Sequence, residues 1–288
     1  MAQHPDVQGF FDPATHTVTY LVSDPATGMA AIIDPVLDFN AASARTSTRS
    51  VDAVMAALRE AGLTLAVVLE THAHADHLTA ADHLRQAEGV PIGVGRHITE
   101  VQTAFAPLFG AADVATDGRA FDHLYADGDR FALGSLEVEV LHTPGHTPAC
   151  VSYRIGDAVF TGDTLFMPDY GTARTDFPGG DARTLYRSIQ TLLALPDETR
   201  IFVGHDYLPE GRADYRFETT VAAQRDHNVH IGGGVSEAAF VGMRESRDAT
   251  LGAPQLILPS LQINIRAGAL PPADANGQRY LKLPLDAI

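Results

Sequence analysis

The chain has one cysteine and no tryptophan, and no apolar run approaches the ~18 residues of a membrane span. One thiol cannot close an internal disulfide, which excludes a stapled extracellular scaffold. The same count excludes a structural zinc site built on four cysteines, or on two cysteines and two histidines. Basic residues are scarce as well: 20 Lys and Arg stand against 36 Asp and Glu, a formal charge of −16. A nucleic-acid groove needs clustered cations to replace phosphate counterions, so that balance argues against one. Residues 1–6 lack the basic start and apolar run of a signal peptide, and a cytoplasmic protein is expected. Disorder is excluded from the other side, because 45% of the 288 residues are hydrophobic, enough for a sizeable core. What the chain has in quantity is histidine, 13 in all.

Alternation over residues 17–22 and the apolar run 30–33 predict a hairpin, turning at 25–28. A helix is expected from Ser50, with Val51, Val54, Met55, Leu58 and Ala61 on one face. Residues 65–69 (LAVVL) read as a strand buried on both faces. A helix over 76–88, a strand near 91–94 and a helix from about His97 follow. Residues 136–141 form a period-2 strand, with further strands near 150–155 and 158–160. A helix over 181–195 is capped by Asp181 and stopped by Pro196. The last core strand is expected at 201–203, and two more helices near 213–227 and 236–247. Hairpins mixed with helix-separated strands suggest an α/β fold with two sheets between helices. No linker interrupts the chain, so one domain over 1–288 is expected, with a C-terminal extension from about residue 212 packing on the core.

Four short segments, each just after a predicted strand, carry the donor groups. The first is Thr71-His72-Ala73-His74-Ala75-Asp76-His77. In extended backbone, residues two apart point the same way, so His72, His74 and Asp76 can converge, and His77 can turn back from the first helical turn. The others are Thr143-Pro144-Gly145-His146, Thr161-Gly162-Asp163-Thr164 and Gly204-His205-Asp206-Tyr207. Each alone would be an ordinary turn. A row of surface histidines or a capped helix start does not explain the whole series, whereas a metal site does.

The ordered series His72-x-His74-x-Asp76-His77, His146, Asp163, His205 resembles that of the metallo-β-lactamase superfamily, over roughly residues 15–210. The resemblance implies an αββα sandwich of two mixed sheets between helices, with the metal site at one edge of the sheets. The superfamily includes lactamases, thioester hydrolases, nucleases and dioxygenases, so the fold alone does not fix the function. The element Arg174-Thr175-Asp176-Phe177 is similar to the persulfide dioxygenase branch. So are Thr147-Pro148-Ala149-Cys150, Gly204-His205-Asp206-Tyr207 and the C-terminal Gln262-Ile263-Asn264-Ile265-Arg266-Ala267-Gly268. Those enzymes oxidise glutathione persulfide with O₂ to sulfite and glutathione.

Membership of that branch implies one Fe(II) per chain, held by His72, His146 and Asp163 as the catalytic metal ligands. Such a triad leaves coordination positions for the persulfide sulfur and O₂. His74, Asp76, His77 and His205 would then orient ligands and water, or hold a second metal. Arg174 is expected to clamp a glutathione carboxylate, unless it pairs with Asp169 or Asp176. Tyr207 is expected to hydrogen-bond the peptide part, unless its ring is merely core. The rival is a binuclear glutathione thioester hydrolase of the glyoxalase II type, with two Zn or mixed Zn/Fe. A metal-binding sensor on the same fold is the non-enzyme alternative. A homo-oligomer, dimer or tetramer, is expected, with no nucleic acid or membrane partner. Cys150 reads as a buried small hydrophobe, ahead of a redox thiol. The aromatic stretch within 100–128 reads as a lid or an oligomer contact.

Overall fold

The computed structural model describes residues 4–287; residues 1–3, read above for a targeting signal, and Ile288 lie outside the described residues. The first half runs β1 (Asp6–Asp12), β2 (Thr17–Ser23), β3 (Met29–Ile33), β4 (Val36–Asn40), β5 (Arg45–Ser47) and α1 (Arg49–Glu60). It continues through β6 (Thr64–Leu69), β7 (Leu78–Thr79), α2 (Ala81–Glu88), β8 (Ile92–Gly95), α3 (Ile98–Leu108) and β9 (His123–Tyr125). The second half runs β10 (Arg130–Leu133), β11 (Leu136–His142), β12 (Val151–Ile155), β13 (Ala158–Phe160), α4 (Ala182–Leu193) and β14 (Arg200–Phe202). It ends with β15 (Glu218–Thr220), α5 (Val221–His227), α6 (Glu237–Asp248) and α7 (Ile257–Asn264).

One sheet has the order β1-β2-β3-β6-β8-β9 and the other β10-β11-β12-β13-β14-β15. Both are mixed: β3, β6, β8 and β9 run parallel beside the antiparallel hairpin β1–β3, and β13 pairs parallel to β14 within an otherwise antiparallel sheet. Val18, Tyr20, Ile33 and Leu69 of the first sheet interleave with Val138, Tyr153, Phe160 and Phe202 of the second. Apolar faces of α1, α2, α3 and α7 cover the outside of the first sheet, and α4, α5 and α6 that of the second. The fold is the expected αββα sandwich. Among the described residues, no helix is long and apolar enough to cross a membrane.

Several local expectations are corrected. The helix expected from Asp76 begins at Ala81, because Leu78 and Thr79 pair with Leu37 and Val36 as a short strand. His77 therefore sits in a loop, not in a helical turn. Residues 201–203 are not the last strand position, since β15 pairs antiparallel to β14. The helix expected from 213 starts only at Val221, where the Thr220 side chain accepts from the Ala223 N–H. The β1 strand and α7 are not evident in the sequence pattern; α7 contributes Leu261 and Ile263 to the core. Phe105, Phe109 and Phe121 of the 100–128 stretch are core residues, so these rings form neither a lid nor an exposed contact.

Candidate metal centre

All seven donors come from loops at one end of the sandwich, where strands of the two sheets stop. Gly162 (φ +48) lets the chain turn within contact of Thr71, so the Asp163 loop lies directly against the His72 loop. His205 forms an isolated bridge to Thr17, which brings the end of β14 to the start of β2.

In four of the histidines, one ring nitrogen is held by the protein and the other is left facing the centre. His72 Nδ1 lies 3.0 Å from Thr71 Oγ1, and His146 Nδ1 donates to the Arg174 carbonyl at 2.8 Å. Thr17 Oγ1 lies 3.2 Å from His77 Nδ1 and 3.5 Å from His205 Nδ1. The Nε2 atoms of His72, His77 and His205 are buried without a hydrogen-bond partner, as are Asp76 Oδ2 and Asp163 Oδ1. Buried polar atoms are normally satisfied. So many orphans aimed at one point fit a metal centre whose donors are fixed from behind.

Two donor sets share Asp163. His72, His146 and Asp163 form the first, their ligand atoms all within 4.8 Å of one another. Asp163 Oδ2 stands 3.9 Å from His72 Nε2 and 3.7 Å from His146 Nε2. In the second, His205 Nε2 lies 3.2 Å from Asp76 Oδ2 and 3.3 Å from Asp163 Oδ1. His74 belongs to a further set with Asp76 and His77, their ligand atoms within 4.8 Å of one another, while its Nε2 lies 3.1 Å from Asp34 and 3.3 Å from Glu70. Asp34 also accepts from the Thr71 N–H at 2.7 Å and hydroxyl at 2.8 Å, locking the loop that carries His72.

Burial, then the neighbouring His74 and His146, hold the His72 imidazole well below its ordinary pKa. A neutral ring keeps its lone pair for a metal. Burial disfavours charge on His74 too, but Asp34 and Glu70 outweigh it and raise its pKa well above the usual value. His205 is likewise raised despite burial, by Asp163 and Asp76.

A cavity of ≈ 640 Å³ opens over the first set, lined by His146, Asp163, Phe166, Tyr170, Tyr207 and Arg247 among others. Tyr207 stacks on His205 at 5.4 Å and on Tyr170 at 5.0 Å. It is a wall of the cavity. Arg174 shows the alternative named for it, an ion pair. Its side chain reaches the cavity, but the carboxylate it grips, at 2.5 Å through both Nε and Nη2, is that of Asp176. Arg244 is paired with Asp248. Arg247, of the same helix, lines the cavity with no carboxylate partner among the described residues. No motif marks Arg247 or the strained His16 (φ 59), which also lines the cavity. Cys150 is buried, and burial pushes its thiol up to about 12. His230 is buried and accepts from the Thr172 N–H at 3.0 Å.

The chain belongs to the metallo-β-lactamase superfamily, whose family model matches residues 12–205. It is 51% identical over 286 residues to the beta-lactamase hydrolase-like protein of Xylella fastidiosa (strain Temecula1). That match covers 99% of this chain and 66% of the Xylella protein, so the chain spans about two thirds of that relative's length. Glyoxylase B2 of Dictyostelium discoideum is 45% identical over 291 residues, covering 100% of this chain and 99% of that one. The human mitochondrial persulfide dioxygenase ETHE1 is 34% identical over 201 residues, covering 68% of this chain and 66% of that one. Among solved structures, ETHE1 from Myxococcus xanthus is 34% identical with a TM-score of 0.73, covering 92% of this chain and 100% of that one.

Proposed function

We propose that this member of the superfamily is an iron-dependent persulfide dioxygenase, converting glutathione persulfide, O₂ and one water to glutathione and sulfite. The observation that carries the reading is the set His72, His146 and Asp163: two imidazoles and one carboxylate, gathered beneath the cavity. Two histidines and one carboxylate are the donor set of non-haem Fe(II) oxygenases, and an iron held there would supply the redox chemistry that O₂ requires. The resemblance of Arg174-Thr175-Asp176-Phe177 to that branch and the likeness to ETHE1 support it.

The protein's own part is holding and orienting. Thr71 and the Arg174 carbonyl fix the two imidazoles, so the donors need little rearrangement when a metal arrives. Phe166, Tyr170 and Tyr207 wall the cavity with rings that can pack along a tripeptide. Glutathione carries two carboxylates, and the chain as a whole is at −16. A local cation must therefore offset a repulsive field. Arg247 takes this role in place of Arg174, whose guanidinium already holds Asp176.

One observation favours a second reading, a binuclear glutathione thioester hydrolase. Asp76, His77, His205 and the other oxygen of Asp163 offer a second set of unpartnered donors, and the Dictyostelium relative is named glyoxylase B2. His205→Ala separates the two. The dioxygenase keeps about one iron per chain and most of its O₂ uptake in that variant. Loss of a second metal together with all turnover of S-lactoylglutathione would establish the hydrolase instead.

A further inference from the structure

The family model ends at residue 205, yet one loop that carries metal donors, and the segment that holds His146 from behind, are fastened by residues well beyond it. Asn264, at the end of α7, is 3% exposed and uses its whole side chain on the first loop. Its Nδ2 donates to the carbonyls of His74 and His77, both at 2.8 Å. Its Oδ1 accepts from the Thr79 N–H at 2.9 Å. The loop of candidate donors is thereby closed like a clasp, with all three hydrogen bonds buried. Gly268 lets the tail lie close, since a Cβ there would sit 2.9 Å from the Asp82 nitrogen.

The second fastening acts on the segment beside His146. Asp248 Oδ2 accepts from the Thr175 N–H at 2.8 Å and from its hydroxyl at 2.9 Å. Asp248 Oδ1 holds the buried Arg244 at 2.9 and 2.7 Å. Arg244 in turn donates to the Thr172 carbonyl at 3.2 Å. Residues 172 and 175 are thus pinned by one buried ion pair on α6. Between them stands Arg174, whose carbonyl accepts from His146 Nδ1. That bond fixes the tautomer and aims Nε2 at the centre.

We propose that Asn264 and the Asp248–Arg244 pair are positioning residues for the metal centre, acting through the backbone of the donor loop 72–77 and of the segment 172–175 behind His146. The proposal rests on the reading above only in taking His72 and His146 as metal ligands, and it holds for either reaction. Partners behind metal ligands typically change affinity by about 10–100-fold when removed. The test loads the full chain with Fe(II) anaerobically and follows transfer of the iron to a colorimetric chelator. Asn264→Asp and Asp248→Asn release iron about tenfold faster than the parent, and the EPR line shape of their ferrous nitrosyl adducts changes. Val221→Ala, which loosens the same extension at a core position on α5, away from the helices that carry both fastenings, releases it at the parent rate.

Where Asp248→Asn does not fold, Thr175→Val decides. It removes one hydrogen bond, leaves the ion pair, and speeds release about threefold. Parental release and spectra in the clamp variants, or equal acceleration in Val221→Ala, would overturn the proposal. His146→Ala distinguishes the premise: if it retains iron as the parent does, the ligand reading fails before the clamps are at issue.

Discussion

The loop of residues 72–77 and the segment beyond Asp206 contribute to the same centre in opposite ways. The loop carries His72, His74, Asp76 and His77 within six positions, supplying donors directly. The C-terminal segment places no donor in any candidate metal cluster among the described residues. It supplies instead Asn264 behind the first loop, Asp248 and His230 behind the loop next to His146, and Arg247 in the cavity. Direct ligands fail all at once, because a missing lone pair has no substitute. Residues that act through a carbonyl or an N–H weaken the site by degrees.

That contrast orders the expected effects. His72→Ala and Asp163→Ala each remove a ligand from the first set, and both bound iron and O₂ uptake are lost; metal analysis and an oxygen electrode read this directly. On the C-terminal side the largest effect is one of stability. Burial, then Arg244 and Arg247, hold His230 down at about 4, and in the unfolded chain it returns to about 6.5. Between those values the unfolded state binds more protons, so stability is full above pH 6.5 and falls as pH drops toward 4. Discounted for solvent screening, the loss is on the order of 1 kcal/mol. His230→Asn keeps an acceptor for Thr172 without titrating, and denaturant midpoints from pH 7 to pH 4 should show a flatter slope than the parent.

A smaller effect belongs to Arg247. Its change to Met raises KM for the persulfide about tenfold, one charge-assisted contact, with kcat nearly unchanged. Arg174→Met changes KM less while loosening the loop. A kcat loss in Arg247→Met would place that side chain nearer the reacting atoms than the cavity wall. The smallest effect is expected at Cys150. A thiol buried and pushed to about 12 is neither nucleophile nor ligand, so Cys150→Ala keeps iron and O₂ uptake within about twofold. A large activity loss there, with iron retained, would bring the thiol into the chemistry.

The same contrast explains what could be read from the sequence. The donors were legible because strand-end loops concentrate them at short spacing, and because strand periodicity says which side chains share a face. The αββα layering followed from hairpins alternating with helices. Asn264 lay within a recognisable tail, Gln262 to Gly268, but its partners, His74 and His77, are nearly two hundred positions away, and no local pattern encodes such a contact. Asp248 and Arg247 sit on a helix that reads as ordinary. For Arg174 the sequence offers a substrate carboxylate, Asp169 or Asp176 as partner, and only the folded geometry selects Asp176. The helix start at Asp76 failed for a similar reason, since pairing of Leu78 and Thr79 with the distant β4 overrides local helix signals.

The central claim is that a two-histidine, one-carboxylate iron site here consumes O₂ on a persulfide. An oxygen-electrode trace with fresh glutathione persulfide and iron-assayed protein tests it most directly, with sulfite measured in the same vessel. The account predicts O₂ uptake proportional to bound iron and one sulfite per O₂ consumed. Absent uptake from fully iron-loaded protein, with rapid hydrolysis of S-lactoylglutathione by the same sample, would contradict it.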